Sequence, residues 1–147
     1  MNEDKNSLAI ALFTEVMAAD QLVRARLSRV LPKGMEISHF SVLNHLAWVK
    51  DERTPAQLAE TFHVTRGAMT NTLSKLEWSG YIHIRPDWDD ARRKLVSISP
   101  AGLQARDHAV GSVTPVINQM VEKMGAEQVR GALPILREMR IQLGTRG

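Results

Sequence analysis

Apolar residues recur every seven positions near the start of the chain, at Ala9, Val16, Val23 and Val30, with Leu12, Phe13, Ala19 and Leu27 beside them. A stripe with that spacing predicts a long amphipathic helix over about residues 7–31, and Pro32-Lys33-Gly34 forms its stop. The spacing returns near the other end. Leu103, Val110, Ile117 and Met124 are seven apart, with Val113 and Met120 between them; Val129, Leu136 and Leu143 follow, with Ala132 and Met139. Two more amphipathic helices are expected there, broken near Gly125. Pro115 and Pro134 fall inside the pattern and predict kinks or local breaks.

The middle of the chain is punctuated more densely. Ser38 is the expected N-cap of a helix carrying Phe40, Leu43, Leu46 and Ala47, and Lys50-Asp51-Glu52-Arg53 forms a polar turn after it. Thr54-Pro55-Ala56-Gln57 then places a capping threonine, a proline at the first helical position and a glutamine three residues after the cap, which is a capping box. It opens a short helix, about residues 55–61, with Leu58, Ala59 and Phe62 on its apolar side. Thr65 caps the next helix, about residues 66–78, whose inner face is Met69, Leu73 and Leu76 and whose stop is Gly80. Tyr81-Ile82-His83-Ile84-Arg85 and Lys94-Leu95-Val96-Ser97-Ile98 alternate apolar and polar residues and predict two strands around a polar hairpin tip. The expected fold is mainly α, within the α+β class. It is a winged helix-turn-helix with a two-stranded β wing, flanked by long helices at both ends. The divisions are residues 35–100 for the winged helix and residues 1–34 and 101–147 for a helical dimerisation region.

Composition narrows this little. The 147 residues are 44% apolar and 24% charged, as in an ordinary globular domain. The longest apolar run, Leu8 to Phe13, is too short to span a membrane. The first residues are polar and acidic where a secretory signal would be basic and then apolar, so a cytoplasmic location is expected. The absence of cysteine removes disulfides, thiol catalysis, thiolate metal sites and thiol redox sensing together.

Charge changes the picture through its distribution. The excess is only +3, from 19 Lys+Arg against 16 Asp+Glu. Yet there is no acid from Thr61 through Leu76, and Arg92, Arg93 and Lys94 form a basic run. Two helices joined by a three- to four-residue turn make a helix-turn-helix. The outer face of the second offers Thr65, Arg66, Gly67, Thr70, Asn71, Ser74 and Lys75. Asparagine can bond adenine in bidentate fashion and arginine guanine; threonine can touch a thymine methyl or a phosphate, and lysine neutralises phosphate. Gly67 lets bases or backbone approach the helix N-terminus, where the dipole favours phosphate. The hairpin that follows supplies wing arginines for the minor groove.

These residues, taken together, resemble a family. Thr54-Pro55-Ala56-Gln57-Leu58-Ala59, the run Val64 to Glu77, Gly80-Tyr81-Ile82, the stretch Asp87 to Arg92, and Leu95-Val96-Ser97-Ile98-Ser99-Pro100-Ala101-Gly102 are similar to the MarR family of bacterial transcriptional regulators. Ile37-Ser38 and Phe40 to Leu43 resemble the start of its second helix. The resemblance covers about residues 37–102. It implies a homodimer whose N- and C-terminal helices form the interface, each subunit placing a winged helix on a near-palindromic double-stranded DNA operator. It also implies a possible small aromatic or phenolic effector, as for a ligand-responsive repressor. Asp90 and Arg92 fall on the family's Asp-x-Arg wing motif, the arginine reaching DNA and the aspartate bracing it. Ala91 departs from the usual Arg or Lys, and Arg93 stands where a small residue is common. Trp88 is also unusual, and the sequence assigns it no role.

Other chemistries find less support. Asp87-x-Asp89-Asp90 begins like a calcium loop but has Ile98 where that loop needs Glu. The five histidines have no metal-ligand spacing, so no metal and no cofactor are expected. His39 and His45 lie near where the family binds ligands. No catalytic motif is present, and an enzyme is not expected. The alternative to a DNA-binding regulator is a winged-helix dimer that serves as a protein-interaction module. Whether the regulator represses or activates depends on operator position, outside the sequence.

Overall fold

The computed structural model describes residues 2–144. The order is α1 (Asn2–Val30), α2 (Ile37–Val49), α3 (Pro55–Thr61), α4 (Arg66–Trp78), β1 (Ile82–Pro86), β2 (Lys94–Ile98), α5 (Pro100–Met124) and α6 (Ala126–Gly144). The chain divides between Ser112 and Val113 into two compact units. Among the described residues, no helix is long and apolar enough to cross a membrane.

The first unit holds the core. Val42, Leu43 and Leu46 of α2 meet Leu58 and Ala59 of α3, Met69, Leu73 and Leu76 of α4, Ile82 of β1 and Val96 of β2. Each fully buried leucine there contributes on the order of 1.5–3 kcal/mol of transfer free energy. The spacing of Met69, Leu73 and Leu76 turns one face of α4 inward and leaves the opposite face to solvent. The strands pair antiparallel, with Ile82 opposite Ile98 and Pro86 opposite Lys94. The linker between α2 and α3 adds to the sheet through Arg53, which both donates to and accepts from Val96, at 3.0 and 2.8 Å.

Local chemistry explains the boundaries. The Thr54 N–H donates to Gln57 Oε1 at 2.9 Å, and the Gln57 N–H donates to Thr54 Oγ1 at 3.1 Å, completing the predicted capping box of α3. Thr65 Oγ1 accepts from Ala68 N–H at 3.1 Å and caps α4. Gly80, at φ 78°, stops α4 with Tyr81 N–H donating back to Leu76 at 3.0 Å. Ser99 knots the winged helix to α5: its hydroxyl donates to the Gly80 carbonyl at 2.6 Å and accepts from Gly102 N–H at 3.0 Å.

Three expectations need correction. The N-cap of α2 is Glu36, not Ser38; the third residue in, His39, accepts the Glu36 N–H on Nδ1 at 3.1 Å. The first helix begins at Asn2, earlier than the apolar stripe, and Asp4 near its start suits the positive end of the helix dipole. Neither Pro115 nor Pro134 interrupts its helix. Each removes one hydrogen bond, and intact turns on either side carry the helix through. The break does fall at Gly125, which sits at φ 96° between α5 and α6.

Much of the flanking apolar stripe is exposed in the single chain. Leu8, Ile10, Phe13, Met17 and Leu22 on α1 face solvent. In the second unit, Leu133, Ile135, Leu136, Ile141 and Leu143 on α6 do the same.

Candidate nucleic-acid interface

Helices α3 and α4 are joined by a turn in which His63 takes a left-handed conformation, at φ 53°, and Val64 N–H donates to Ala59 at 3.0 Å. The turn sets α4 across α3 with its outer face open. Gly67, Asn71, Ser74 and Trp78 follow one another at helical spacing along the middle of that face, all exposed. Arg66 and Thr70 flank this ridge on one side and Lys75 on the other, also exposed. Among the described residues, nothing outside its own turn of helix lies within 4 Å of where a Gly67 side chain would begin, so the surface there is open to an approaching molecule. The predicted recognition residues therefore share one surface, with two refinements. The Thr65 hydroxyl oxygen already accepts the cap bond from Ala68. Lys75 leans toward α2, its ammonium 3.9 Å from the Glu36 carboxylate.

The wing is closed by its own acids. Asp87 N–H donates to Arg93, Asp90 N–H to Asp87, and Arg93 N–H to Asp90, which folds the tip. Asp90 Oδ1 accepts from both the backbone N–H and the Nε of Arg92, each at 3.1 Å. Hydrogen bonds from the Arg92 side chain and backbone hold the Asp90 carboxyl below its ordinary pKa, against a small cost of burial. The Arg92 side chain is nonetheless 90% exposed. Arg93 is turned instead to Asp87, 3.6 Å away. Of the two wing arginines proposed from sequence, Arg92 is presented outward, and Arg93 is partly engaged within the wing.

Two hollows flank α4, and Ser74 lines both. The larger, about 770 Å³, is bordered by Lys33, Met35, His39, Lys75, Tyr81 and His108. The smaller, about 400 Å³, lies toward the wing beside Thr70, Glu77, Ile84, Arg93 and Lys94. Burial holds the His39 imidazole below the ordinary histidine pKa; Glu36 opposes this and Lys75 adds to it. His45 packs edge-on against Phe62, with ring centroids 5.5 Å apart. Among the described residues, no group of three or more His, Asp or Glu is placed to hold a metal ion.

Sequence reasoning missed one pair beside this surface. Arg85 of β1 grips Glu52 of the α2–α3 linker, Nε to Oε2 at 2.8 Å and Nη2 to Oε1 at 2.6 Å. The partners are 33 residues apart, so no local spacing announces them.

A helix-turn-helix whose second helix is exposed, followed by a two-stranded hairpin with an outward arginine, defines a winged helix-turn-helix protein. Residues 33–93 match the profile of the MarR family. A variant of the Escherichia coli regulator MarR, solved with operator DNA, is similar at a TM-score of 0.80 and 23% identity, over 89% of this chain and 94% of that one. The transcriptional regulator BldR from Sulfolobus solfataricus is similar at a TM-score of 0.74 and 25% identity, over 88% and 95% of the two chains. The organohalide-sensing regulator RdhR, in its 2,4-dichlorophenol-bound form, is similar at a TM-score of 0.83 and 19% identity, over 93% and 82%. No curated protein matches the sequence.

Proposed function

We propose that this chain is a sequence-specific DNA-binding transcriptional regulator that acts as a homodimer on a near-palindromic operator in the cytoplasm. The observation that carries this reading is the single open surface formed by α4 and the wing. Asn71 stands at the centre of the exposed ridge, and Arg92 is held outward by a carboxylate that keeps its own charge covered. Asn71, with Arg66 and Gly67 before it, reads base edges in the major groove; Thr65, Thr70, Ser74 and Lys75 position the helix on phosphates. Arg92 enters the minor groove, whose negative potential is deepest where A·T pairs narrow it. Arg93 contributes only when it leaves Asp87. The operator complex of the E. coli relative supports the same use of this fold.

The dimer rests on the exposed apolar faces of α1 and α6. Patches of that extent are rare on monomers, and a second copy of the chain is the proposed cover. Residues 1–34 and 101–147 form this region, and residues 35–100 the reading head.

A small aromatic or phenolic effector is the proposed regulator, in the larger hollow. That space is large enough for one ring system, and two lysines and two histidines at its border suit an acidic group. The dichlorophenol complex of a relative supports this class of ligand. The effector acts by preferring a conformation in which the two recognition helices are badly spaced for DNA.

The test is a salt-titrated binding assay. Genomic fragments selected by the protein should be bound far more tightly than random duplex, with affinity on both falling as salt rises. If selection enriches nothing and random duplex is not bound at moderate salt, the chain is a protein-interaction module instead.

A further inference from the structure

We propose that Glu52, Arg85 and Trp88 form a strap that fixes the angle of the wing against the helix-turn-helix, with Arg85 and Trp88 serving as positioning residues for Arg92. The proposal rests on the DNA-binding reading above.

Each of the three guanidinium nitrogens of Arg85 already donates a hydrogen bond within the protein. Its Nε and Nη2 donate to the two oxygens of Glu52, and its Nη1 donates to the Pro86 carbonyl at 3.0 Å. The Trp88 indole lies against the flat face of the guanidinium, 5.5 Å from Cζ to the ring centroid. Arginine presents donors at its edge and a cationic face above them, and here both are used at once. The Glu52 bond and the nearby Asp87 and Asp89 carboxylates hold the Arg85 proton more tightly than usual.

The three residues come from three places. Glu52 precedes Arg53, which joins the linker to Val96 of β2. Arg85 stands on β1, opposite Leu95 of β2. Trp88 stands in the loop, four residues before Arg92. A tie from linker to β1 to loop therefore crosses the sheet. It begins two residues before Thr54, the cap of α3. A two-stranded hairpin is marginally stable alone and free to swing. The strap joins its loop to the segment that launches the helix-turn-helix. It also explains why a tryptophan left 79% exposed stands on the wing: its partner is a cation, not a core.

Two measurements test this. The first needs no DNA. Trp48→Phe with Trp78→Phe leaves Trp88 as the only tryptophan of the three. Its time-resolved fluorescence anisotropy should show a restrained indole. Arg85→Lys, which keeps the charge and loses the fork, should add a fast component. The second measures binding to a selected operator with A·T-rich flanks. Trp88→Ala and Glu52→Gln should each weaken binding about three- to tenfold in the wild-type background and less than about twofold in the Arg92→Ala background. Trp88→Phe should restore most of the loss.

The outcomes separate. If Trp88→Ala costs as much with Arg92→Ala as without it, Trp88 touches DNA directly and the strap is overturned. An anisotropy indifferent to Arg85→Lys overturns the strap alone. An Arg92→Ala variant that binds every duplex like wild type overturns the DNA-reading wing, whatever the anisotropy shows.

Discussion

The carbonyl oxygen of Tyr81 occupies the space where a side chain on Gly102 would begin. The approach is made possible by Ser99, whose N–H donates to that same carbonyl at 3.0 Å and whose hydroxyl ties Gly80 to Gly102. The end of the recognition helix, the start of β1 and the start of α5 thus meet at backbone distance. Gly102→Ala forces backbone apart, and should destabilise the protein by about 1–3 kcal/mol or more. Chemical denaturation reads this directly. Gly67→Ala, whose added carbon meets no described residue beyond its own turn of helix, is the control and should hold or slightly raise the midpoint.

Arg92→Ala should leave the melting temperature nearly unchanged, since an exposed ion pair adds little to folding. It should weaken operator binding strongly and abolish any preference for A·T-rich flanks. Asp90→Ala should do the same more mildly, because it frees the arginine without removing its charge. Comparing operators with A·T-rich and G·C-rich flanks gives the answer; a mutant that keeps the preference places the minor-groove contact elsewhere.

Asn71→Ala should cost about 1–3 kcal/mol on the operator and much less on random DNA. Lys75→Ala should weaken both alike and reduce the slope of log affinity against log salt by about one. Its loose pairing with Glu36, at 3.9 Å, is too weak to withhold it from phosphate. Equal losses on both duplexes for Asn71→Ala would make it a positioning residue rather than a reader.

Light scattering at micromolar concentration should give about twice the 16.4 kDa chain mass. Placing a charge on the exposed stripe, as in Phe13→Glu with Leu136→Glu, should shift the protein toward monomer and lower operator affinity. A wild-type monomer at that concentration rules out the two-half-site arrangement.

Acid should weaken the fold through His39. Its Nδ1 accepts the Glu36 N–H, so the cap requires the neutral ring, and burial lowers the pKa in the folded state. As pH falls through the unfolded value of about 6.5, the unfolded chain takes up the proton first. The contribution is complete above that value and declines below it, until the folded pKa is reached. Gln57 plays the same part for α3 without titrating, so His39→Gln should keep a cap and flatten the fall in melting temperature between pH 7 and pH 5. The four other histidines are common to both proteins. Parallel pH profiles would clear His39 of the effect.

The helix-turn-helix was legible because its signals are local. Thr54 with Gln57, and Thr65 with Ala68, are contacts three residues apart, and the expected spans of α3 and α4 agree with those observed. The contact between Asp90 and Arg92 was expected from the likeness to the family's wing motif, and the two side chains do meet. The cap of α2 was not: Ser38 has the usual chemistry, but Glu36 and His39 form the box, and a histidine acceptor has no distinctive sequence signature. The Glu52–Arg85 fork joins segments brought together only by the sheet, so its register had to be known first. The two helix-interior prolines misled because the rule describes a cost, and long helices can bear it.

The wing's pairing of opposite charges has a kinetic consequence. Asp87 with Arg93, Asp90 with Arg92 and Glu52 with Arg85 leave it little field beyond a Debye length of about 8–10 Å. A patch of that kind does not draw a duplex in from a distance; encounter is left to the recognition helix, which carries Arg66 and Lys75 and no acid before Glu77. The wing acts after docking, when Arg92 is already within reach of the groove. Its substitutions should therefore appear chiefly in how long the protein stays on its site, with the rate of arrival almost untouched.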